Sequence, residues 1–245
     1  MVFFKSHDWR SKNFTLEPII LKGTLIERVS SFKYLGVQID TNLNFKVHYE
    51  QVEKKLNCAL SKMYSLRRLL SINVVKTFIS AYVVSIVDYA QIIWCVQNVS
   101  DTMKLQQKID RFLTSYCLSK KCLLKPSRNK NLKALYKSVN ASDLLKKLDL
   151  LTIIERKKLS LLKFVLKNRK RKIFEGWFVP SRGDRLKIPT FNSELFKQSV
   201  VWSCCDVWNH CIQKLKIIDV DEVGYDVFID SCKNLFIIDR AKIYV

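Results

Sequence analysis

Glycine and proline are nearly missing from this chain, and that scarcity limits its fold more than any other feature. Five glycines and four prolines in 245 residues fall far below the roughly 12 % of average usage. Sandwiches, barrels and propellers turn every few residues and draw on these two residue types, so they are disfavoured; long helices are favoured. The same scarcity removes Gly-rich phosphate loops of the Rossmann or P-loop kind. An apolar fraction of 48 % provides for a core and excludes a disordered chain.

Periodicity fills in the architecture. Residues 1–40 have a β-like pattern, with Met1–Phe4 as one strand. Pro18–Leu21 and Thr24–Val29 flank Lys22-Gly23 as a hairpin. Phe32–Asp40 continues the pattern, and Gly36 is expected to mark a bulge or a close backbone approach within a strand. Helical spacing begins after Asp40, where Tyr49, Val52, Leu56, Ala59, Met63, Leu66 and Leu70 recur at three- and four-residue steps. A second helix is expected over about Asn73 to Trp94, apolar nearly all round and therefore central and buried. A third runs from about Thr102 to Cys117 with Leu105, Ile109, Phe112 and Tyr116 on one face. Asp143–Leu148 reads as a short helix. Thr152-Ile153-Ile154-Glu155 has the form of a capping box opening a helix that carries Leu159, Leu162 and Leu166. Gly176, Pro180, Gly183 and Pro189 then suggest a linker, and Glu194–Leu235 is again helical. The expected fold is mainly α: a small N-terminal β-hairpin region (1–45), a basic helical domain (46–172), then a linker and helical C-terminal region (173–245).

Charge is concentrated. The formal net charge is +21, and residues 103–172 hold 21 basic against 4 acidic residues, whereas 173–245 hold 9 against 10. An excess gathered in 70 residues is an electrostatic field directed at a polyanion, with affinity supplied by counterion release. Its densest run is Lys167–Lys172, five basic residues in six. Aromatics lie between the cations at Phe112, Tyr116, Tyr136 and Phe164, where base stacking competes with core packing, the better reading of their helical spacing.

Catalytic and metal chemistry finds little support. His7, His48 and His210 are widely separated. Cys204-Cys205 with His210-Cys211 lacks the second ligand pair of a zinc site, and Cys204, Trp208 and Cys211 would share an inward helix face, so buried thiols are expected. Asp219, Asp221 and Glu222 read as a solvated loop. Met1–Lys5 is too short an apolar stretch for a signal peptide. The most apolar window, Ile72–Val96, contains Lys76, Asp88 and Gln91, so no membrane span is expected. Eight cysteines without a secretory signal fit free thiols in an intracellular compartment, nuclear or cytoplasmic.

The order of segments carries a resemblance. Phe32-Lys33-Tyr34-Leu35-Gly36-Val37-Gln38-Ile39-Asp40, followed by Leu43-Asn44-Phe45 and His48, resembles the KYLGV-ID…L-F…H signature of non-LTR (LINE-type, jockey-like) retrotransposon reverse transcriptases. Ser85-Ile86-Val87-Asp88-Tyr89 with Ile92-Ile93-Trp94 resembles the family's thumb-helix pattern. Lys104-Leu105-Gln106-Gln107-Lys108 through Phe112 resembles its L-x-x-x-Q helix. Leu144–Leu166 is similar to its RLKKLGLLSLEERR region, and Val207-Trp208-Asn209 to its WN element, although His210-Cys211 replaces the expected Leu-Pro. The resemblance implies a primer-grip hairpin, a thumb-like helical bundle and a C-terminal extension, with Met1–Phe4 at the end of the palm.

No adjacent pair of aspartates occurs in the sequence. The resemblance implies a paired-aspartate motif in the palm of the family's polymerase, whose carboxylates converge on two metal ions; since this chain carries no such pair, no catalytic residue, metal ligand or cofactor is assigned to it, and Mg²⁺ belongs to the parent enzyme. The partner implied is RNA or an RNA–DNA duplex, along with the palm and fingers if the protein is longer. By resemblance Lys33, Tyr34 and Gly36 are candidate primer contacts. By charge and helical position Arg67, Arg68, Lys104, Lys108, Arg111, Arg156, Lys157, Lys158, Arg169, Lys170, Arg171 and Lys172 are candidate phosphate contacts. The alternative is an inert relic or a helical protein-interaction module with no nucleic-acid role.

Overall fold

A computed structural model describes residues 18–95, 99–124, 141–190 and 199–243. The expected strand at Met1–Phe4, Tyr136 and the start of the final helical region at Glu194 lie outside the described residues. The described residues are mainly helical, and their four strands all lie between Ile20 and Asp40. It divides into two compact units, Met1–Lys54 and Lys55–Val245.

In the first unit, strands β1 (Ile20–Leu21) and β2 (Thr24–Leu25) pair antiparallel, as do β3 (Ser31–Tyr34) and β4 (Val37–Asp40). The Lys22-Gly23 hairpin forms, with positive φ at both residues (49° and 77°). Gly36 departs from the expectation of a bulge. Leu35 and Gly36, at φ 44° and 81°, are the two central residues of a second tight hairpin, in register Tyr34↔Val37 and Phe32↔Ile39. A two-residue turn of this hand requires positive φ twice, which glycine meets without steric cost. Beyond it the Asp40 carboxylate accepts the backbone N–H groups of Asn42 and Asn44 at 3.1 and 3.0 Å. The His48 Nδ1 accepts from the Gln38 backbone N–H at 3.3 Å. Helix α1 (Lys46–Leu66) follows and runs through the division of the units at Lys54. Its stripe from Tyr49 to Met63 is buried as its spacing requires, but Leu66 is exposed.

In the second unit the expected single helix over 73–94 is broken. Helix α2 (Ile72–Phe78) passes through a π-helical turn at Ile79–Val83 into α3 (Val84–Asp88), and α4 (Gln91–Trp94) begins after Ala90 at φ 51°. At the break the Trp94 indole Nε1–H donates to the Tyr89 carbonyl at 2.8 Å, satisfying a group the helix ladder leaves open. The expected all-round burial is also corrected. Val75, Ile79, Val83 and Val87 form a buried stripe, while Ile72, Val74, Tyr82, Tyr89 and Ile93 are exposed. A high apolar content is not the same as an enclosed position.

Helix α5 (Val99–Leu124) is longer than its sequence pattern and buries Leu105, Ile109, Phe112 and Tyr116. Its Tyr116 hydroxyl donates to the Leu70 carbonyl at 3.2 Å. Helix α6 (Ala141–Lys147) is short, and α7 (Ile153–Asn168) opens with the full capping box between Thr152 and Glu155. Residues 173–190 do not behave as a linker. A 3₁₀ turn (Lys172–Phe174) leads into a hairpin closed by the Pro180↔Leu186 bridge. Phe178 and Leu186 enter the core formed by α7, α8 (Val200–Leu215), α9 (Val220–Val223) and α10 (Tyr225–Ile243). Low glycine content elsewhere made this punctuation look like a boundary; its backbone bonds and aromatic burial make it a packed element. Among the described residues no helix is long and apolar enough to cross a membrane.

Candidate nucleic-acid interface

The basic section is built on α7. Its buried side, Ile153, Leu161, Leu162 and Val165, faces the core. That commits the opposite positions to solvent, and there Lys163 and Lys167 stand one turn apart and exposed, with Arg171 and Lys172 exposed just beyond the helix end. None of the four has an acidic partner among the described residues, and α6 adds exposed Lys146 and Lys147.

The acidic residues of 103–172 are mostly committed elsewhere. Glu155 is buried and pairs with Arg240 of α10, whose Nε lies 2.6 Å from Oε1. Asp149 pairs with Lys233 at 3.1 Å. Asp110 accepts from the Gln106 amide at 2.8 Å. Burial pushes its carboxyl above the ordinary value, outweighing that hydrogen bond and the Arg240 charge. Lys163, Lys167, Arg171 and Lys172 therefore face solvent without a local ion pair among the described residues, the condition in which they release counterions on meeting a polyanion, while on α6 Lys146 and Lys147 share the helix with exposed Asp143.

The predicted phosphate contacts fall into two groups. Arg169 is 9 % exposed and internal: its guanidinium reaches Asp184 at 2.6 Å and Asp221 at 2.8 Å and lies 5.0 Å over the Trp208 ring. Lys170 pairs with Asp221 at 2.7 Å. Those two partners hold the Asp221 carboxyl below its ordinary value. Arg156 grips Asp88 through both Nε and Nη2. Burial lowers the Lys157 ammonium pKa, and Lys158 lies 5.4 Å over Phe236. Arg67 folds back on the Tyr64 ring and carbonyl. These side chains hold the fold, because a cation next to the core binds the nearest carboxylate or ring face. The others lie nearer solvent. Arg111 is exposed and Lys108 half-buried. Arg68 is exposed, and Lys104 forms a surface pair with Asp101 at 2.6 Å, an interaction worth little in water. Lys33, Tyr34 and Gly36 are exposed on the β3–β4 hairpin of the first unit.

The motif residues behind the family resemblance serve the fold. Trp94 and Trp208 are fully buried, with the Trp208 Nε1–H donating to the Asp184 carbonyl at 2.7 Å. Asn209 clamps the Leu186 backbone through both ends of its amide, at 2.8 and 2.7 Å. Gln106 accepts from the Ile153 N–H at 2.9 Å, and Gln91 donates to the Ile153 carbonyl at 3.0 Å. No family model matches the chain, and no curated protein or solved structure matches it either. The retrotransposon resemblance therefore rests on the sequence segments themselves.

Sequence reasoning missed two kinds of residue. Lys163 and Lys167 lie off the Leu159–Leu162–Leu166 stripe, so helical spacing could have found them. Arg240 gave no signal, because its partner Glu155 is 85 positions away. The cysteine cluster is inert: burial pushes Cys204 up to about 12 and Cys205 to about 11, and the Cys232 hydrogen bond and burial raise Cys211 further. Among the described residues no group of three or more His, Cys, Asp or Glu side chains could hold a metal ion.

Proposed function

We propose that this chain binds RNA or an RNA–DNA duplex, as the primer-grip and thumb part of a non-LTR retrotransposon reverse transcriptase does, and has no nucleotidyl-transfer chemistry of its own. The observation that carries this reading is the basic surface at the end of α7: Lys163, Lys167, Arg171 and Lys172 are exposed without an acidic partner among the described residues, while Asp110 and Glu155 are held by internal hydrogen bonds and Asp149 pairs with Lys233. Phosphates would meet this surface in a sequence-independent way.

The test is duplex binding by fluorescence anisotropy across a salt series. Replacing Lys163, Lys167, Arg171 and Lys172 by Ala should reduce the log–log salt slope by about 0.9 for each phosphate left unneutralised, roughly 3–4 in all. A wild-type chain without salt-dependent binding would overturn the reading. A second reading has its own observation: exposed Ile72, Val74, Tyr82 and Ile93 make an apolar strip suited to a protein partner. Association through that strip would change little as salt rises.

A further inference from the structure

The acidic C-terminal region holds a second, smaller group of unpaired cations. An open cleft of about 440 Å³ is lined by Arg182, Gly183, Arg185, Lys216, Ile217 and Ile218, among others. Arg182, Arg185 and Lys216 are all exposed, and none has an ion-pair partner among the described residues. Of the nearby carboxylates, Asp184 is held by Arg169 and the Val220 N–H and Asp221 by Arg169 and Lys170, while Asp219, which caps the Asp221 N–H, and Glu222 are exposed.

The loop carrying the two arginines is held rigidly. Gly183 and Asp184 are both left-handed, at φ 64° and 55°, which reverses the chain between Arg182 and Arg185. The hairpin closes through the Ser181 N–H to the Arg185 carbonyl at 2.7 Å and the Lys187 N–H to the Val179 carbonyl at 2.8 Å. The Trp208 indole and the Asn209 amide then fasten it to α8. Asp184 turns its charge to the interior pair with Arg169, leaving the flanking arginines at the surface. A backbone already held in one turn limits the ordering cost on meeting an anion to the arginine side chains themselves.

We propose that this cleft binds a nucleotide of a single-stranded nucleic acid, its phosphate on Arg182, Arg185 and Lys216 and its base against Ile217 and Ile218. A duplex keeps its bases stacked inside and would leave the apolar wall unused; an unstacked strand uses both halves of the site. The volume suits one nucleotide, being within the usual range of ligand clefts. This inference rests on the nucleic-acid reading above and adds a separate, single-strand subsite to it.

The experiment measures anisotropy of a fluorescein-labelled oligo(U) 12-mer from 50 to 300 mM KCl. It compares the wild-type chain, the R182Q/R185Q/K216Q variant and the K163A/K167A/R171A/K172A variant, with thermal melting of each as a fold check. At about 0.7 slope unit per neutralised phosphate for single strands, the first variant, which removes the cations around one phosphate, should reduce the salt slope by about 0.7 with melting unchanged, and Ile218→Ser should weaken binding with the slope kept. An oligo(U) slope unchanged in R182Q/R185Q/K216Q overturns the subsite; if duplex binding still responds to the α7 variant, the general reading stands. Stabilisation by pyrophosphate that needs the three cations, with no oligo(U) effect, assigns the cleft to a free phosphate compound and also overturns it. A wild-type chain that binds neither oligo(U) nor duplex sinks both readings.

Discussion

Arg240→Met is the substitution that examines the interior most directly. Arg240 is 2 % exposed. Its Nε donates to Glu155 Oε1 at 2.6 Å, and its Nη2 donates to both Glu155 Oε2 and the Leu150 carbonyl. Methionine fills similar space but leaves the Glu155 carboxylate buried without its cation. Breaking a buried pair from one side costs roughly 3–5 kcal/mol. The Leu150 carbonyl also loses its donor, for about 1 kcal/mol more. For a chain of this size 1 kcal/mol corresponds to about 2–4 °C of Tm, so a drop on the order of 10 °C is expected. The compensating variant is E155Q/R240M. Glutamine still accepts the Thr152 N–H that Glu155 now holds at 2.9 Å, so the capping box survives and position 155 no longer buries a charge, although Asp110 loses the favourable Arg240 charge. The Arg240 Nη1 group has no hydrogen-bond partner in the native fold, so the original pair is incompletely satisfied and the double variant should recover most of the stability. Urea unfolding followed by tryptophan fluorescence reads both, because Trp94 and Trp208 are fully buried in the same unit. A single variant within about 1 kcal/mol of wild type, or a double variant as unstable as the single, would refute the argument from buried charge.

Two other outcomes are expected. Burial raises the Asp110 pKa above 3.8, so ionisation costs more in the folded chain than in the unfolded one, and stability falls as pH rises from 3.8 through the folded value. Asp110→Asn keeps an acceptor for Gln106 and removes that cost; it should be more stable than wild type at neutral pH, with the gain fading below about pH 4, and equal stability at neutral pH would refute it. Lys22→Asn places the residue type best suited to φ 49° before Gly23, relieving part of the roughly 1–2 kcal/mol a side chain incurs there; slower hydrogen exchange of the Ile26 N–H, bonded to Ile19 at 2.8 Å, is the expected readout.

Much of the fold is legible along the chain because its causes are local. The stripes Tyr49–Met63 and Leu105–Tyr116 repeat at helical spacing, the Thr152–Glu155 box spans four residues, and Lys22-Gly23 needs no distant partner. The same locality explains the failures. Ile72–Trp94 is apolar on most of its faces, so periodicity did not reveal that one side lacks a cover or that the helix would break at Tyr89 and Ala90. Residues 173–190 carry two of the five glycines and two of the four prolines, and composition alone does not distinguish a packed hairpin from a linker.

Charge divides along the same line. The sequence by itself determined how many cations this protein carries and in which 70 residues they gather, since charge is a property of each side chain. Only the tertiary structure decided which of them are available to a ligand. Arg169 and Lys170, from the densest basic run, are taken by Asp184 and Asp221, while Arg182, Arg185 and Lys216, from a stretch with no net basic excess, are left exposed. An ion pair depends on which side chains packing brings within about 4 Å, and that distance is set by the burial of distant apolar residues such as Trp208 and Phe228.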